Sequence, residues 1–201
     1  MAVSGFTDVY VAPLPSMCDD PVYPPERHAQ ITATRSAALR HQRYGVWKLL
    51  EHAITHSLSL PFDHVRFVCD ERGRWSCDAC YFSISHSDNA VAVAVSDRPV
   101  GVDIERLDRP HGAMLPDKIL TDEQRSTYDR LPPADRPRFL VERWTVKEAR
   151  FKRDDLPTFT PRTIEDDDRV TIHHLTVHGI PFCCSIATAE DTSPRLITDI
   201  S

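Results

Sequence analysis

The sequence predicts an α+β fold, in one large domain or two small lobes, on three observations. Strand-like and helical stretches alternate along the 201 residues, with no tandem repeat or low-complexity tract. Two long helical patterns stand out, one from about Thr32 to His56 and one from about Arg138 to Arg153. A faint echo links Asp8-Val9-Tyr10-Val11 to Gly101-Val102-Asp103-Ile104, each a strand followed by a proline-bearing loop and helices. Two similar lobes, each a small sheet packed with a long helix, would explain the echo: an N-terminal lobe over 1–98 and a C-terminal lobe over 99–201, with a loose tail from about 190.

Taken in order, Thr7 to Ala12 has the alternation of a strand, and Pro13, Pro15, Pro21, Pro24 and Pro25 mark a loop. In the first long helix Leu39, Trp47, Leu50 and Ile54 fall near helical spacing. Arg35, Arg40, Arg43 and Lys48 surround them and give a basic side, suited to phosphate or to solvent. His64 to Val68 reads as a strand, Asp70 to Arg74 as a turn on Gly73, and Tyr81 to Ile84 as a strand entering Ser85-His86-Ser87. The apolar run Ala90 to Val95 is a buried strand, and Asp97-Arg98-Pro99 turns it into Val100 to Glu105. Pairing of these successive strands as a hairpin would bring His86 and Asp103 into one neighbourhood. Leu115 to Pro133 holds one or two short helices with an N-cap at Thr121, broken by Pro132, Pro133 and Pro137. Val170 to His174 and Ile180 to Ala187 return to strand, and His173, His174 and His178 read as ordinary strand and turn residues.

Composition narrows the class. With 41% hydrophobic and 8% aromatic residues the chain can bury a globular core. It has no apolar run of about 18 residues, and its start lacks the basic and apolar regions of a signal peptide, so the expectation is a cytoplasmic protein with no membrane partner. A net charge of −6 argues against a general nucleic-acid binder while leaving room for a local basic pocket. Six cysteines include Cys77 and Cys80 and the neighbours Cys183 and Cys184. One CxxC without a well-spaced second pair favours free thiols over zinc or disulfides.

Chemistry concentrates in three stretches. Alternation in Val100 to Glu105 puts Val100, Val102 and Ile104 on one face and Gly101, Asp103 and Glu105 on the other. Carboxylates at i and i+2 sit about 7 Å apart and repel by about 2 kcal/mol at an effective dielectric of about 20. They call for a positive neighbour, either an Arg or Lys or a divalent cation held by hard oxygen ligands. Gly101 leaves that face open to the close approach of a ligand. In the second long helix Leu140, Trp144 and Phe151 form the apolar stripe, with Glu148 on one edge and Lys147 on the other. Glu148 can pair with Lys152 one turn on, for about 0.3–0.5 kcal/mol if exposed, or act as a functional acid. Ser83-Ile84-Ser85-His86-Ser87 offers hydroxyls and an imidazole to a phosphate; the chain has no G-x-S-x-G elbow to make it a hydrolase. Together these groups suit Mg²⁺ bound by few carboxylates and by substrate phosphate oxygens, in phosphoryl-type transfer.

The three stretches occur in the order and spacing of a known family, and the chain resembles the 4′-phosphopantetheinyl transferases of the longer, surfactin-synthetase-activating type. Ser83 to Ser87 is similar to the family's S-x-S-H-S element, Gly101 to Glu105 to G-V/I-D-I-E, and Trp144 to Lys152 to W-S/T-x-K-E-A/S-x-x-K. The resemblance implies a monomer of two lobes related by a pseudo-twofold, with coenzyme A in the cleft between them. It implies Mg²⁺ on Asp103, Glu105 and Glu148, coenzyme A phosphates on Ser85 and His86, and Lys152 on the diphosphate and the departing 3′,5′-ADP. A serine of an apo acyl or peptidyl carrier protein, from fatty-acid, polyketide or nonribosomal peptide synthesis, would receive the phosphopantetheine arm, with Glu148 the first choice of base. Arg40 and Arg43 would meet the 3′-phosphate and Arg74 the nucleotide. Two departures stand out: Gly73 is followed by Arg74-Trp75 where the family usually has Lys-Pro, and Arg153-Asp154-Asp155-Leu156 lacks the usual glycine. Other readings are a metal-dependent phosphoesterase acting on a nucleotide diphosphate, and a non-catalytic module binding coenzyme A or a carrier.

Overall fold

The computed structural model describes residues 5–16, 20–108, 115–189 and 193–199; Cys18 and part of the expected tail lie outside them. The first half runs through β1 (Thr7–Pro13), α1 (Pro25–Thr32), α2 (Ala37–Leu58), β2 (Phe67–Cys69), β3 (Trp75–Cys77), β4 (Tyr81–Ser87) and β5 (Ala90–Ser96). The second runs through β6 (Val100–Arg106), α3 (Pro116–Ile119), α4 (Asp122–Arg130), α5 (Arg136–Arg153), β7 (Val170–Val177), β8 (Ile180–Thr188) and β9 (Arg195–Ile197). The strands form sheets ordered β4-β5-β1-β9 and β6-β8-β7, with β2 and β3 as a separate pair. The α+β class is borne out, and the halves share a connectivity: a strand, helices, then an antiparallel pair whose second strand joins the first, giving β1-β5-β4 and β6-β8-β7. Among the described residues no helix is long and apolar enough to cross a membrane.

The period-2 pattern of the strands explains the layers. Tyr10, Val91, Val93 and Val95 bury one face of the first sheet under Trp47, Leu50 and Ile54 of α2. The alternate residues Val9, Val11, Ala92 and Ala94 meet Val102 and Ile104 of β6 and Phe182 and Ile186 of β8, which joins the two sheets. Each buried Val, Leu, Ile or Phe among them contributes about 1.5–3 kcal/mol by leaving water. On the second sheet's other side Leu140 and Val141 of α5 pack with Cys183.

Local sequence explains two helix starts directly. Ser36 caps α2, its hydroxyl accepting from Leu39 N at 3.3 Å. Thr121 and Gln124 form a reciprocal capping box on α4, as the N-cap signal implied. Four expectations are corrected. The proline-rich stretch is not all loop, because Pro25 sits in the first turn of α1, where its missing N–H costs nothing. Pro137 does not break a helix but sits in the first turn of α5 for the same reason. β5 and β6 do not pair; β5 lies between β4 and β1, and β6 pairs with β8. The tail is not loose throughout, since β9 pairs in parallel with β1 and Arg195 donates to the Asp8 carboxylate at 2.9 and 2.8 Å.

Candidate functional site

The site lies where the edge strands β4 and β6 meet. Alternation sends Ser83, Ser85 and Ser87 to one side of β4, and all three reach β6. Ser83 Oγ accepts from Val102 N at 3.0 Å, and Ser85 Oγ accepts from Ile104 N at 3.2 Å while donating to Asp103 Oδ1 at 2.7 Å. Ser87 Oγ donates to Glu105 Oε2 at 2.6 Å. Hydroxyls thus take the place of a neighbouring strand for the β6 edge, and they bring the S-x-S-H-S and G-V-D-I-E stretches together without a shared ladder. Ser85→Ala would leave the buried Ile104 N–H without its acceptor and release Asp103. The expected cost is about 1–3 kcal/mol, read as a lowered denaturant midpoint at unchanged slope.

Helix α5 sends its motif residues three ways. Thr145 and Ala149 face the second sheet, where the fully buried Thr145 Oγ1 meets Ser185 Oγ at 2.7 Å. Lys147, with no exposed surface, donates to Pro161 O at 2.9 Å and to Ile164 O, tying down the following loop; burial pulls its pKa down to about 8. Trp144, Glu148 and Lys152, spaced by four, line a pocket of about 290 Å³ with Asp103, Glu105 and His86. The expected stripe of Leu140, Trp144 and Phe151 is corrected at Trp144 and Phe151, which sit half-buried against Phe159, and holds at Leu140, which is buried like Val141, Thr145 and Ala149. Gly101 explains why such small residues suffice. A Cβ there would lie 1.8 Å from Ala149 O, so its clearance admits the helix backbone and not, as the sequence suggested, a ligand.

The positive neighbour that the two strand acids required is Lys152, whose Nζ donates to Asp103 Oδ1 at 2.8 Å and Val102 O at 3.0 Å. Burial opposes its charge, but Asp103, Glu148 and Glu105 hold the ammonium above its usual range. One lysine does not offset three acids. Burial, with Asp103 adding repulsion, pushes Glu105 up to about 7; burial and Asp103 push Glu148 up to about 7 against the pull of Lys152. Asp103 is 4% exposed, and its Oδ2 has no hydrogen-bond partner among the described residues. His86 sits beside Lys152 and Arg43, and burial with these cations lowers its pKa.

Arg43 lines the pocket, held by Thr34 Oγ1 at 2.9 Å, whereas Arg40 turns to Thr34 O at 3.5 Å and is not part of that lining. Arg74 stands further along the cleft, paired with Asp155 and donating to Lys152 O. Arg27, on α1, is a residue that the sequence reading missed. It is 9% exposed, its guanidinium lies 4.6 Å from the Trp47 ring centroid, and its Nε has no partner among the described residues. It lines both the acid pocket and the adjoining one at Arg74, and burial with Arg43 nearby lowers its pKa to about 10. The available signal was Pro24-Pro25-Glu26, proline and acid at a helix start.

The cleft thus sets carboxylates against a row of cations, an arrangement able to hold a polyanion together with a cation. Residues 99–190 match the model of the 4'-phosphopantetheinyl transferase superfamily, a span that includes the strand acids and the α5 motif but not Ser83 to Ser87. Over 127 residues the chain is 27% identical to 4'-phosphopantetheinyl transferase psf-1 of Bacillus pumilus, covering 59% of this chain and 54% of that protein. Over 105 residues it is 28% identical to 4'-phosphopantetheinyl transferase gsp of Aneurinibacillus migulanus, covering 52% and 44%. The chain spans about half the length of these curated relatives. The resemblance stated from the three motifs is borne out.

Proposed function

We propose that this chain is a transferase of the 4′-phosphopantetheinyl transferase superfamily, moving the phosphopantetheine arm of coenzyme A to a serine of an apo acyl or peptidyl carrier protein with Mg²⁺. The observation that carries the reading is Asp103 Oδ2, a buried carboxylate oxygen without a partner among the described residues, in a pocket shared with Glu105 and Glu148. The two halves with one connectivity, over 1–98 and 99–201, would be the family's two lobes about a pseudo-twofold, with the cleft between them.

Among the described residues no three His, Cys, Asp or Glu side chains form a ready metal cage. Mg²⁺ needs less than that, because it keeps waters and takes substrate phosphate oxygens beside one or two carboxylates. The orphaned Asp103 oxygen, with Glu105 and Glu148 beside it and both raised to about 7 chiefly by burial, fits such an ion, which would offset charge on the diphosphate. The chain's own groups do the rest. Lys152 meets the diphosphate and the departing 3′,5′-ADP, and His86, Arg43, Arg27 and Arg74 place positive or donor groups along the anion. Ser85 fixes Asp103. The carrier hydroxyl attacks the β-phosphorus, the P–O bond to 3′,5′-ADP breaks, and Glu148 takes the proton directly or through water.

The test is to incubate the chain with coenzyme A, Mg²⁺ and a panel of apo carriers, then weigh the carriers. A phosphopantetheine-sized gain is expected. Hydrolysis of the diphosphate without a carrier would point to a phosphoesterase, and binding without either reaction to a non-catalytic module.

A pH dependence follows from the same acids. Glu105 and Glu148 have folded pKa values near 7 against an ordinary 4.5, so the folded chain binds protons more tightly than the unfolded one. Their contribution to stability is full below about 4.5 and is lost as pH rises through about 7. Melting in the presence of a chelator should therefore show the wild type losing stability over that window relative to Glu105→Gln/Glu148→Gln. Added Mg²⁺ should raise the wild-type melting temperature more at about pH 8 than at about pH 5. Equal shifts at both would remove the acids from ion binding.

A further inference from the structure

Away from the acids, β3 ends at Cys77 and Cys80 leads directly into β4, with Asp78 and Ala79 between them. The two sulfurs lie 3.8 Å apart, and Cys77 Sγ donates to Cys80 O at 3.3 Å. Both thiols are free and half-buried, and both line a cavity of about 640 Å³ with Arg74, Trp75 and Lys152. A disulfide needs about 2.05 Å between sulfurs, so the pair has less than about 2 Å to close.

We propose that Cys77 and Cys80 are a reversible dithiol–disulfide site in the wall of the cleft, reacting with small-molecule disulfides of the glutathione class. Cys77 is the attacking sulfur. The Cys80 thiol and the backbone N–H groups of Cys80 and Ala79 stabilise its thiolate against burial and bring its pKa down to about 7, while the Cys80 thiol is pushed up. The Cys77 thiolate attacks one sulfur of the small disulfide and expels one thiolate, leaving a mixed disulfide. Cys80 then gives its proton to solvent or to the expelled thiolate, attacks the Cys77 sulfur, and expels the second thiolate. Two protein thiols are oxidised and one small disulfide is reduced to two thiols. Cys183 and Cys184 stand apart from this chemistry, since burial in β8 raises Cys183 to about 11 and Cys184 further. The bond would fix the corner that joins the β2–β3 pair, with Arg74 and Trp75, to β4. The site is independent of the transferase reading.

The experiment equilibrates the wild-type chain in mixtures of oxidised and reduced glutathione, quenches in acid, alkylates, and weighs the peptides. The expected result is that the peptide holding Cys77 and Cys80 loses two hydrogens and both alkyl groups before Cys69 reacts, and that a dithiol reductant restores it. Cys80→Ser should stop at a mixed disulfide on Cys77, and Cys77→Ser should leave Cys80 alkylatable. Full alkylation of both thiols in the most oxidising mixture, or glutathione on Cys69 first, would overturn the proposal.

Discussion

Asp103→Asn is expected to lower transfer of the phosphopantetheine arm by about 10²–10³-fold, the scale of losing one preorganised electrostatic group, with the fold retained. Asparagine keeps the shape and can still accept from Lys152 Nζ and Ser85 Oγ, which now share Asp103 Oδ1. What it loses is the charge on the buried Oδ2, which has no hydrogen-bond partner among the described residues. Mass spectrometry of the carrier gives the rate, and a melting curve checks the fold. A structural role for Asp103 as the ion-pair partner of Lys152 makes a different forecast, because removing one member of a buried pair is costly chiefly through the charge left behind. Asp103→Asn/Lys152→Met removes both charges. Stability should recover in that double variant; because Lys152 itself meets the diphosphate, transfer is read in Asp103→Asn alone, and a single variant that loses stability yet keeps its rate per folded molecule would reduce Asp103 to a partner of Lys152.

The strand that carries the acids was legible because its side-chain polarity alternates, although β6 is buried continuously from Val100 to Ile104. Val100, Val102 and Ile104 alternate against Asp103 and Glu105, and the apolar run of β5 packs on both faces. The capping box at Thr121 was legible for a local reason, since both hydrogen bonds lie within four residues. The neighbourhood of His86 and Asp103 was expected and holds, but the contact that makes it was not legible. It rests on serine hydroxyls reaching the edge of a strand in the other sheet, and nothing local distinguishes such a serine from one facing solvent. The buried face of α5 was misread for a related reason: size ranks Trp144 and Phe151 first, but the tight helix–sheet approach buries Thr145 and Ala149 instead. Arg27 stayed hidden among prolines, and β9 pairs with a strand nearly the whole chain away, where no sequence periodicity reports contact.

Gly101→Ala should destabilise the fold by at least about 3 kcal/mol, the upper end of ordinary overpacking. On backbone entropy alone the change would gain about 0.4–1 kcal/mol, but the added Cβ would stand 1.8 Å from Ala149 O and 2.8 Å from both Ala149 C and Arg153 N. These are backbone atoms, so no rotamer relieves the clash and α5 has to shift. That helix carries Glu148 and Lys152, while β6 carries Asp103 and Glu105, so the same glycine sets the distance across the acid pocket. Displacement on the order of 1 Å costs about 10²-fold in a positioned reaction, and transfer should fall by that factor in whatever fraction remains folded. Denaturant unfolding measures the first loss and carrier mass the second. Because the obstacle is a carbonyl oxygen and not a side chain, Ala149→Gly should fail to rescue Gly101→Ala in either measurement. Rescue, or a Gly101→Ala variant as stable as the wild type, would mean that helix and strand do not meet at this glycine.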